Sequence, residues 1–317
     1  MSGERAGRGA LPPPVLVGAL PVHPVRLGDL LRWLEERISR HERVTVFYAN
    51  VHAANLARRD EGFRAAYASV DAVFCDGQGL RLGAALVGRP LPERFTPPDW
   101  IDSLLSLSPV RRAGVFLLGG CPDVVDKALG ALRVRHPDVR AAGHHGYFLG
   151  ADEDEQAVID AVRGFGPGLL LVGMGMPLQE RWVAGHRDEL AAGVVMTVGA
   201  LIDHLSGTAS RGPRWLTDNG LEWLCRLWCE PRRLWRRYLL GNPAFLLAIA
   251  RQVVAERGRG SLWSPGQAGP TSPVGPARRR PRSSRGSAAA PLSRGRRSIR
   301  AVRARIRKSS ASEGVAA

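Results

Sequence analysis

The stretch AVFCDGQGL, residues 72–80, carries the pattern on which the fold prediction rests. Four residues suited to a buried β-strand run into Asp76, and two glycines follow before helix-forming sequence resumes. The same alternation of a short apolar strand with a helix continues along residues 44–200. It predicts right-handed βαβ units and an α/β fold with a mostly parallel, Rossmann-like sheet covered by helices.

The individual elements follow from hydrophobic periodicity. Leu27, Leu30, Leu31 and Leu34 recur at helical spacing. Further helices are predicted at 56–67, 79–88, 122–135, 153–163 and 178–191. Strands are predicted at VTVFYAN (44–50), AVFCD (72–76), GVFLLGG (114–120), VRAAGHH (139–145), GLLLVGMG (168–175) and VVMTVGA (194–200).

Composition divides the chain into four parts. Residues 1–20 are rich in Gly and Pro and are expected to be disordered, and residues 21–211 form the α/β core. Residues 212–256 have no strand pattern and set arginines among tryptophans, which predicts a helical, membrane-associating appendage. Pro231 is expected to open its second helix, and the Gly-Asn-Pro at 241–243 to close it. Residues 257–317 are expected to be a disordered, Arg-rich tail.

Charge is concentrated in that tail. The formal net charge is +16, and residues 257–317 contribute +14 of it through fourteen arginines and Lys308 against Glu313. Such a tail binds phosphates, either of nucleic acid or of anionic phospholipid. A nucleic-acid-binding protein is therefore the alternative function, although the tail lacks a recognisable base-reading module.

The cysteine content and hydropathy indicate a cytoplasmic protein. Four cysteines occur without a CxxC pair or a histidine at metal-ligand spacing, as expected for a reducing compartment. Prolines interrupt the N-terminus before a signal-peptide segment develops. We expect no apolar run of the roughly 18 residues that a membrane-spanning helix needs, and hence a chain that is neither exported nor transmembrane.

Polar and glycine residues end four predicted strands. Ligands bind at the carboxyl ends of parallel strands, so Asp76 could act there as a general base. An isolated Asp-Gly pair is, however, more often a turn or a helix cap. Glycines at 119–120 and 173–175 suit either tight turns or the close approach of a diphosphate to bare backbone.

Many short segments in one order resemble the WecG/TagA/CpsF family of bacterial glycosyltransferases. The resemblance runs from about residue 44 to 247. Its segments are AN at Asn50, DAVFCDGQGL, GRPLPERF, VFLLGG, GHHGYF, VGMGMPLQE, VGALIDHLSG, RGPRWL and LEWLCRLWCEPRRLWRRYL.

This resemblance implies an inverting transferase that moves an N-acetylmannosamine-type sugar from a UDP-sugar to a polyprenyl-diphosphate-linked acceptor. The resemblance implies a role in cell-surface polysaccharide synthesis and a peripheral position at the inner face of the bacterial plasma membrane. It also implies that the reaction uses no metal and no cofactor. It assigns the base to Asp76 and nearby polar contacts to Asn50, Arg94 and Gln179. The other predicted substrate-binding residues are Gly119, Gly120, Gly173, Gly175, Arg226, Arg233 and Arg236. The three arginines belong to the appendage, which is expected to pack over the active site.

Two departures from the family pattern are expected to affect which sugar fits. Tyr48 stands where the family has Thr, and Pro97-Pro98-Asp99 replaces Gly-x-Asp. A third function, an NAD-dependent oxidoreductase, is disfavoured because the glycines near residue 173 lack the third glycine of the dinucleotide-binding fingerprint and lie late in the chain.

Overall fold

The computed structural model describes residues 9–148, 152–209, 227–228 and 231–260, with the side chains of 152–154, 233 and 258–260 left outside that description. Almost all of the predicted tail and residues 210–226 of the appendage therefore lie outside the described residues. What was predicted for the tail stays a prediction.

A six-stranded sheet forms the centre of the structure and confirms the predicted fold class. Its strands are β3 (Val44–Ala49), β4 (Ala72–Cys75), β5 (Val115–Gly119), β6 (Ala141–His144), β7 (Leu169–Gly173) and β8 (Val194–Thr197). All neighbouring strands run parallel, in the order β4-β3-β8-β7-β5-β6.

Helices cover both faces of this sheet. One face packs against α2 (Val51–Arg59), α3 (Glu61–Ala68), α4 (Gln78–Leu86), α8 (Asp152–Phe165) and α9 (Leu178–His186). The other packs against α1 (Leu27–Ser39), α5 (Pro97–Leu105), α6 (Ser108–Ala113), α7 (Pro122–Arg135) and α10 (Leu201–Leu205).

Side-chain alternation along the strands divides the core into these two layers. Phe47 belongs to the first layer and Val46 and Tyr48 to the second, as the two-residue repeat of a strand requires. Both layers are apolar, so the strands read as continuous hydrophobic runs.

The helix predicted at 56–67 is two helices. Asp60 adopts an extended conformation (φ −130°, ψ 105°) that ends α2, and its Oδ1 accepts a hydrogen bond from the Phe63 amide at 2.9 Å. This is the geometry of an N-cap, and it starts α3 in a new direction. The apolar spacing continues across Asp60, which is why periodicity alone missed the break.

Part of the N-terminal segment expected to be disordered is a β-hairpin. Strands β1 (Val15–Val17) and β2 (Leu20–Val22) pair antiparallel around a two-residue turn in which Gly18 has φ +63°. Val17 and Leu20 are fully buried in the first core layer. The prediction for residues 1–20 was therefore wrong for the hairpin, because its proline-rich composition hid four valines and leucines that pack on the core.

The appendage ends in a long helix that lies along the core. Helix α11 (Pro231–Trp235) begins at Pro231 as expected and continues through a π-helical turn (Arg236–Leu240) into α12 (Gly241–Gly260). The expected helix end at 241–243 was wrong. Pro243 cannot donate to the carbonyl four residues before it, and the π-helical turn changes the hydrogen-bond register just before the proline.

Contacts along α12 hold it against the core. Phe245 and Ile249 are buried in the first layer, and Nδ2 of Asn55 donates to the Gly241 carbonyl at 2.7 Å. Near its other end, Oε1 of Gln252 accepts from the Gly18 amide of the hairpin at 2.9 Å. The helix therefore runs from the core to the hairpin across the outside of α2 and α4.

The stretch Arg236–Arg257 also has the length and composition of a membrane-spanning helix: an 18-residue window within it has a mean hydropathy of 1.3, and 11% of that window is buried. The expectation that no segment reaches this threshold was thus wrong. Length and composition are weak evidence of spanning, and the contacts of α12 place one of its faces on the protein. Its other face exposes leucines to the surroundings.

Gly83 allows α12 to approach α4, and we predict that Gly83→Ala weakens this docking. A Cβ atom at Gly83 would stand 2.5 Å from Cζ of Phe245, far inside van der Waals contact. The matched control is Gly130→Ala in α7, where nothing lies within 4 Å. Alanine at that open helical position should stabilise by up to about 1 kcal/mol.

Thermal unfolding and limited proteolysis would measure both variants. Gly83→Ala should have the lower melting temperature and faster cleavage, and adding Phe245→Leu should recover part of the loss. Equal stabilisation of the two glycine variants would show that α12 is not docked as described.

Candidate active site

A cavity of about 580 Å³ opens at the carboxyl ends of β3 and β4. Its lining comes from four parts of the chain: the start of α2, the start of α4, the segment between α4 and α5, and the appendage. The residues are Asn50, Val51, His52, Asp76, Gly77, Gln78, Gly79, Leu80, Arg81, Leu82, Ala85, Pro90, Leu91, Arg94, Thr96, Arg237, Tyr238 and Asn242. Three of the predicted site residues, Asn50, Asp76 and Arg94, are thus brought together.

Asp76 is the residue after β4, and its backbone adds one more hydrogen bond to the pairing of β4 with β3. Its amide donates to the Ala49 carbonyl of β3 at 2.8 Å, and its Oδ1 accepts from the Thr96 hydroxyl at 2.9 Å. Gly77, with φ +107°, occupies the N-cap position of α4. Asp76 therefore stands one residue before the cap and lines the cavity, and the turn that redirects the chain is made by the glycine.

Asn50 begins α2 on the neighbouring strand. Its Oδ1 accepts from the Ala53 amide at 3.0 Å, so the side chain caps the helix. The cap uses the oxygen, and Nδ2 is the group that Asn50 can offer to a ligand.

Positive charge surrounds the carboxylate. Arg81, Arg94 and Arg237 all line the cavity. Arg81 also donates from Nε to the Leu91 carbonyl at 3.1 Å, which holds the segment that carries Arg94 close to α4. Guanidinium groups in this arrangement can bind phosphate oxygens in a bidentate manner.

The appendage contributes an arginine that the sequence analysis did not select. Arg226 and the side chain of Arg233 lie outside the described residues, whereas the Arg236 side chain is exposed and stacks at 5.2 Å from the Trp235 ring centre. Arg237, not Arg236, lines the cavity. Both belong to the π-helical turn, whose register an α-helical spacing rule cannot predict.

Gln179 lies behind the cavity and does not line it. It is fully buried, and each polar atom of its amide has partners in the protein. Oε1 accepts from the Gly175 and Gly199 amides, while Nε2 donates to Oε1 of Glu180 at 2.7 Å and to the Tyr48 hydroxyl at 3.4 Å. Gln179 thus connects the loops after β7 and β8 with β3, and its catalytic role stays a prediction.

Tyr48 is part of this buried cluster. Its hydroxyl lies 2.6 Å from where a Cβ atom of residue 199 would stand, so a residue larger than Gly199 would clash with it. The phenol is buried and does not line the cavity. Any effect of this departure on sugar choice would therefore be indirect.

The glycines at the ends of β5 and β7 are required by backbone packing. A Cβ atom at Gly119 would stand 2.3 Å from the Gly173 carbonyl oxygen, and one at Gly173 would stand 2.7 Å from that of Gly199. Gly120 and Gly175 have φ of +70° and +79°. None of these four lines the cavity, so their predicted contact with substrate stays a prediction.

Burial and charge set the protonation of the groups near Asp76. Burial, and then the charge of Arg237, lowers the pKa of His52 to about 4, so this cavity residue is neutral near pH 7. Burial, and then Asp76, raises the pKa of Cys75 to about 12, which keeps that thiol protonated and unreactive. Among the described residues, no three His, Cys, Asp or Glu side chains are grouped as metal ligands.

A parallel α/β sheet that presents a carboxylate and three arginines in one strand-end cavity has the features of an enzyme that acts on a phosphate-containing substrate. Comparison with known families makes this specific. Residues 15–259 match the family described as "Glycosyl transferase WecG/TagA/CpsF family", and the chain belongs to it. The resemblance found in the sequence motifs is thus confirmed, and the chain is a glycosyltransferase.

Curated relatives agree with this family. The N-acetylglucosaminyldiphosphoundecaprenol N-acetyl-beta-D-mannosaminyltransferase of Staphylococcus aureus strain NCTC 8325 / PS 47 is 30% identical over 203 residues, which are 64% of this chain and 78% of the relative. The enzyme of the same name from strain MRSA252 is 29% identical over a stretch of the same length.

The buried Glu180 gives a pH-dependent stability that we predict to be measurable. Burial raises the pKa of Glu180 from 4.5 to about 7, and its Oε2 has no hydrogen-bond partner among the described residues. Because the folded state binds the Glu180 proton more tightly than the unfolded chain does, protonation stabilises the folded state. This stabilisation is complete below about pH 4.5 and is lost as pH rises through about 7.

Glu180→Gln should flatten the dependence of the free energy of unfolding on pH between 5 and 8. The exposed Glu189→Gln is the control and should keep the wild-type slope. Urea unfolding at several pH values would measure both, and an unchanged slope in Glu180→Gln would contradict the neutral form of this carboxyl.

Proposed function

We propose that this glycosyltransferase moves an N-acetylmannosamine-type sugar, with inversion, from a UDP-sugar to a polyprenyl-diphosphate-linked acceptor in cell-surface polysaccharide synthesis. The observation that carries the proposal is the carboxylate of Asp76 in a cavity with Arg94 and Arg237. The relatives, which are named as N-acetylmannosaminyltransferases acting on N-acetylglucosaminyldiphosphoundecaprenol, support the acceptor class.

The reaction needs one base and a way to stabilise the leaving group. In the proposed step, Asp76 accepts the proton of an acceptor hydroxyl while the hydroxyl oxygen bonds to the anomeric carbon of the donor sugar. The bond from that carbon to the phosphate oxygen breaks, and UDP leaves with the electron pair. Attack from the face opposite UDP inverts the anomeric configuration.

Arginine and backbone groups are suited to stabilise the charge of the diphosphates. Arg81, Arg94 and Arg237 provide guanidinium groups, and the glycine-rich start of α4 directs backbone N–H groups and the positive end of the helix dipole toward the cavity. We propose that these groups, rather than a metal ion, carry the leaving-group charge.

Asp76→Asn should keep the fold and lower the transfer rate by at least about 100-fold, the scale of a missing general base. The matched control is Asp123→Asn, an exposed carboxylate in the first turn of α7 on the opposite layer. Turnover of a panel of UDP-sugars with a short-chain prenyl-diphosphate-GlcNAc acceptor would be measured together with circular dichroism. A folded and fully active Asp76→Asn would refute the assignment of the base.

We also propose that the protein is peripheral on the inner face of the plasma membrane. Apolar side chains are exposed on α4 and on the adjoining appendage, next to the cavity; they are Leu82, Leu86, Leu239, Leu240, Leu246 and Leu247. A surface of this kind beside a cationic site suits a bilayer that holds a diphosphate-linked lipid. Contact of the Arg-rich tail with anionic lipid is a further part of this proposal.

Replacing exposed leucines of the appendage should weaken binding to vesicles. Leu240 and Leu247 are 58% and 54% exposed, so Leu240→Ser with Leu247→Ser should leave the fold intact. The control is Val134→Ser in α7, a residue that is 82% exposed but belongs to the opposite layer. We expect sedimentation with phosphatidylglycerol-containing vesicles to fall several-fold in the double variant only. Equal sedimentation of the variants would contradict a membrane role for this surface.

A further inference from the structure

The hydroxyl of Thr96 does not make the helix-capping hydrogen bond that its position at the start of α5 predicts. Thr96 is the N-cap residue of α5, with the extended backbone of such a residue (φ −100°, ψ 135°). A threonine there normally accepts a hydrogen bond from an amide of the first helical turn. Thr96 makes no such bond, and its buried hydroxyl donates to Oδ1 of Asp76 at 2.9 Å.

The two prolines that follow explain why the Thr96 hydroxyl oxygen caps no amide of the first helical turn. Pro97 and Pro98 are the first two residues of α5, and neither has an N–H group that could compete for the Thr96 oxygen. The next amide, that of Asp99, donates to the Thr96 carbonyl at 2.8 Å. The first turn of α5 is therefore stabilised by this backbone hydrogen bond and by the fixed φ angles of the prolines, and the threonine side chain takes no part in it.

Other contacts fix this segment beside the end of β4. The Phe95 amide donates to the Cys75 carbonyl at 3.1 Å, one residue before Asp76. The Phe95 ring stacks on Phe74 of β4 with the ring centres 5.0 Å apart, and Trp100 meets both rings edge-on. The backbone of Thr96 is consequently held beside the carboxylate by its neighbours in a buried aromatic cluster.

We propose that Thr96 is a positioning residue for Asp76, and that Pro97-Pro98, by removing the capping bond, leaves the hydrogen bond to the carboxylate to set the orientation of its side chain. The hydrogen bond holds the carboxylate in the orientation that faces the cavity and favours its ionised form, which is the form that accepts a proton. The proposal rests on the proposed function, in which Asp76 is the base.

Charged and titratable groups from several elements share the cavity with this carboxylate or interact with it electrostatically. His52 comes from α2, Tyr67 from α3, Tyr48 and Cys75 from the two strands, and Arg81 from α4. Arg94 lies in the same segment as Thr96, and Arg237 comes from the appendage. All of them are retained in variants of Thr96, so a difference between two such variants reports the hydroxyl.

Comparing Thr96→Val with Thr96→Ser separates the effect of losing the hydroxyl from the effect of changing the shape of the side chain. Thr96→Val keeps the branched shape and removes the donor, whereas Thr96→Ser keeps the donor. We expect Thr96→Val to lower kcat roughly tenfold with little change in KM, and to move the acidic limb of the kcat/KM profile about one unit to higher pH. Thr96→Ser should stay near the wild type in both respects. The control is Thr45→Val, which removes a buried threonine hydroxyl at the start of β3, the opposite end of the sheet.

Asp76→Asn, measured in parallel, distinguishes the two ways in which the proposal can fail. If Asp76→Asn keeps its activity, the base is wrong and the role of Thr96 is refuted with it. If Asp76→Asn is inactive while Thr96→Val keeps the wild-type kcat and pH profile, only the positioning role is refuted.

Two further outcomes bear on the hydroxyl itself. A loss in Thr96→Val that Thr96→Ser shares, or that leaves the acidic limb unmoved, would indicate a packing role and overturn the proposal. Adding Thr96→Val to Asp76→Asn should cause no additional loss, because the two residues act as one unit. If Thr96→Val does not fold, as judged by circular dichroism, Thr96→Ala takes its place in every comparison.

Discussion

The register of β3 against β4 is the constraint on which the site depends. Ala49 pairs with Cys75, so the two strands end at the same level and the next residues, Asn50 and Asp76, start their turns side by side. The bond from the Asp76 amide to the Ala49 carbonyl extends this pairing to the carboxylate itself. A slip of one residue would turn Asp76 toward the other face of the sheet, since side chains alternate along a strand.

The cavity is completed by a helix that belongs to the far end of the described chain. Gly83 lets Phe245 approach α4, and the same docking brings Arg237 and Tyr238 to the wall of the cavity. The exposed leucines of the appendage follow from this arrangement, because α12 buries one face and turns the other outward. Docking of α12 therefore links the arginine that faces the site to the apolar surface proposed to meet the membrane.

Much of the fold could be predicted from sequence, because its signals are local. Six short apolar strands alternate with helices, and two polar strand ends, Asn50 and Asp76, were correctly expected to share one edge of the sheet. What the sequence did not reveal has tertiary causes. Gln179 is buried because the loops after β7 and β8 meet β3 around it, and Arg237 rather than Arg236 lines the cavity because both lie in a π-helical turn. The hairpin was missed because its strands are three residues long and set among prolines.

The position of the cavity within the sheet suits an acceptor carried by a lipid. The strand order reverses between β5 and β7, the usual place for a ligand crevice in an open parallel sheet. Asp76 instead follows β4, the edge strand of the sheet. At the edge, the acceptor of the proposed reaction could reach the carboxylate from the side on which Leu82 and Leu86 are exposed, while its lipid stays in the bilayer.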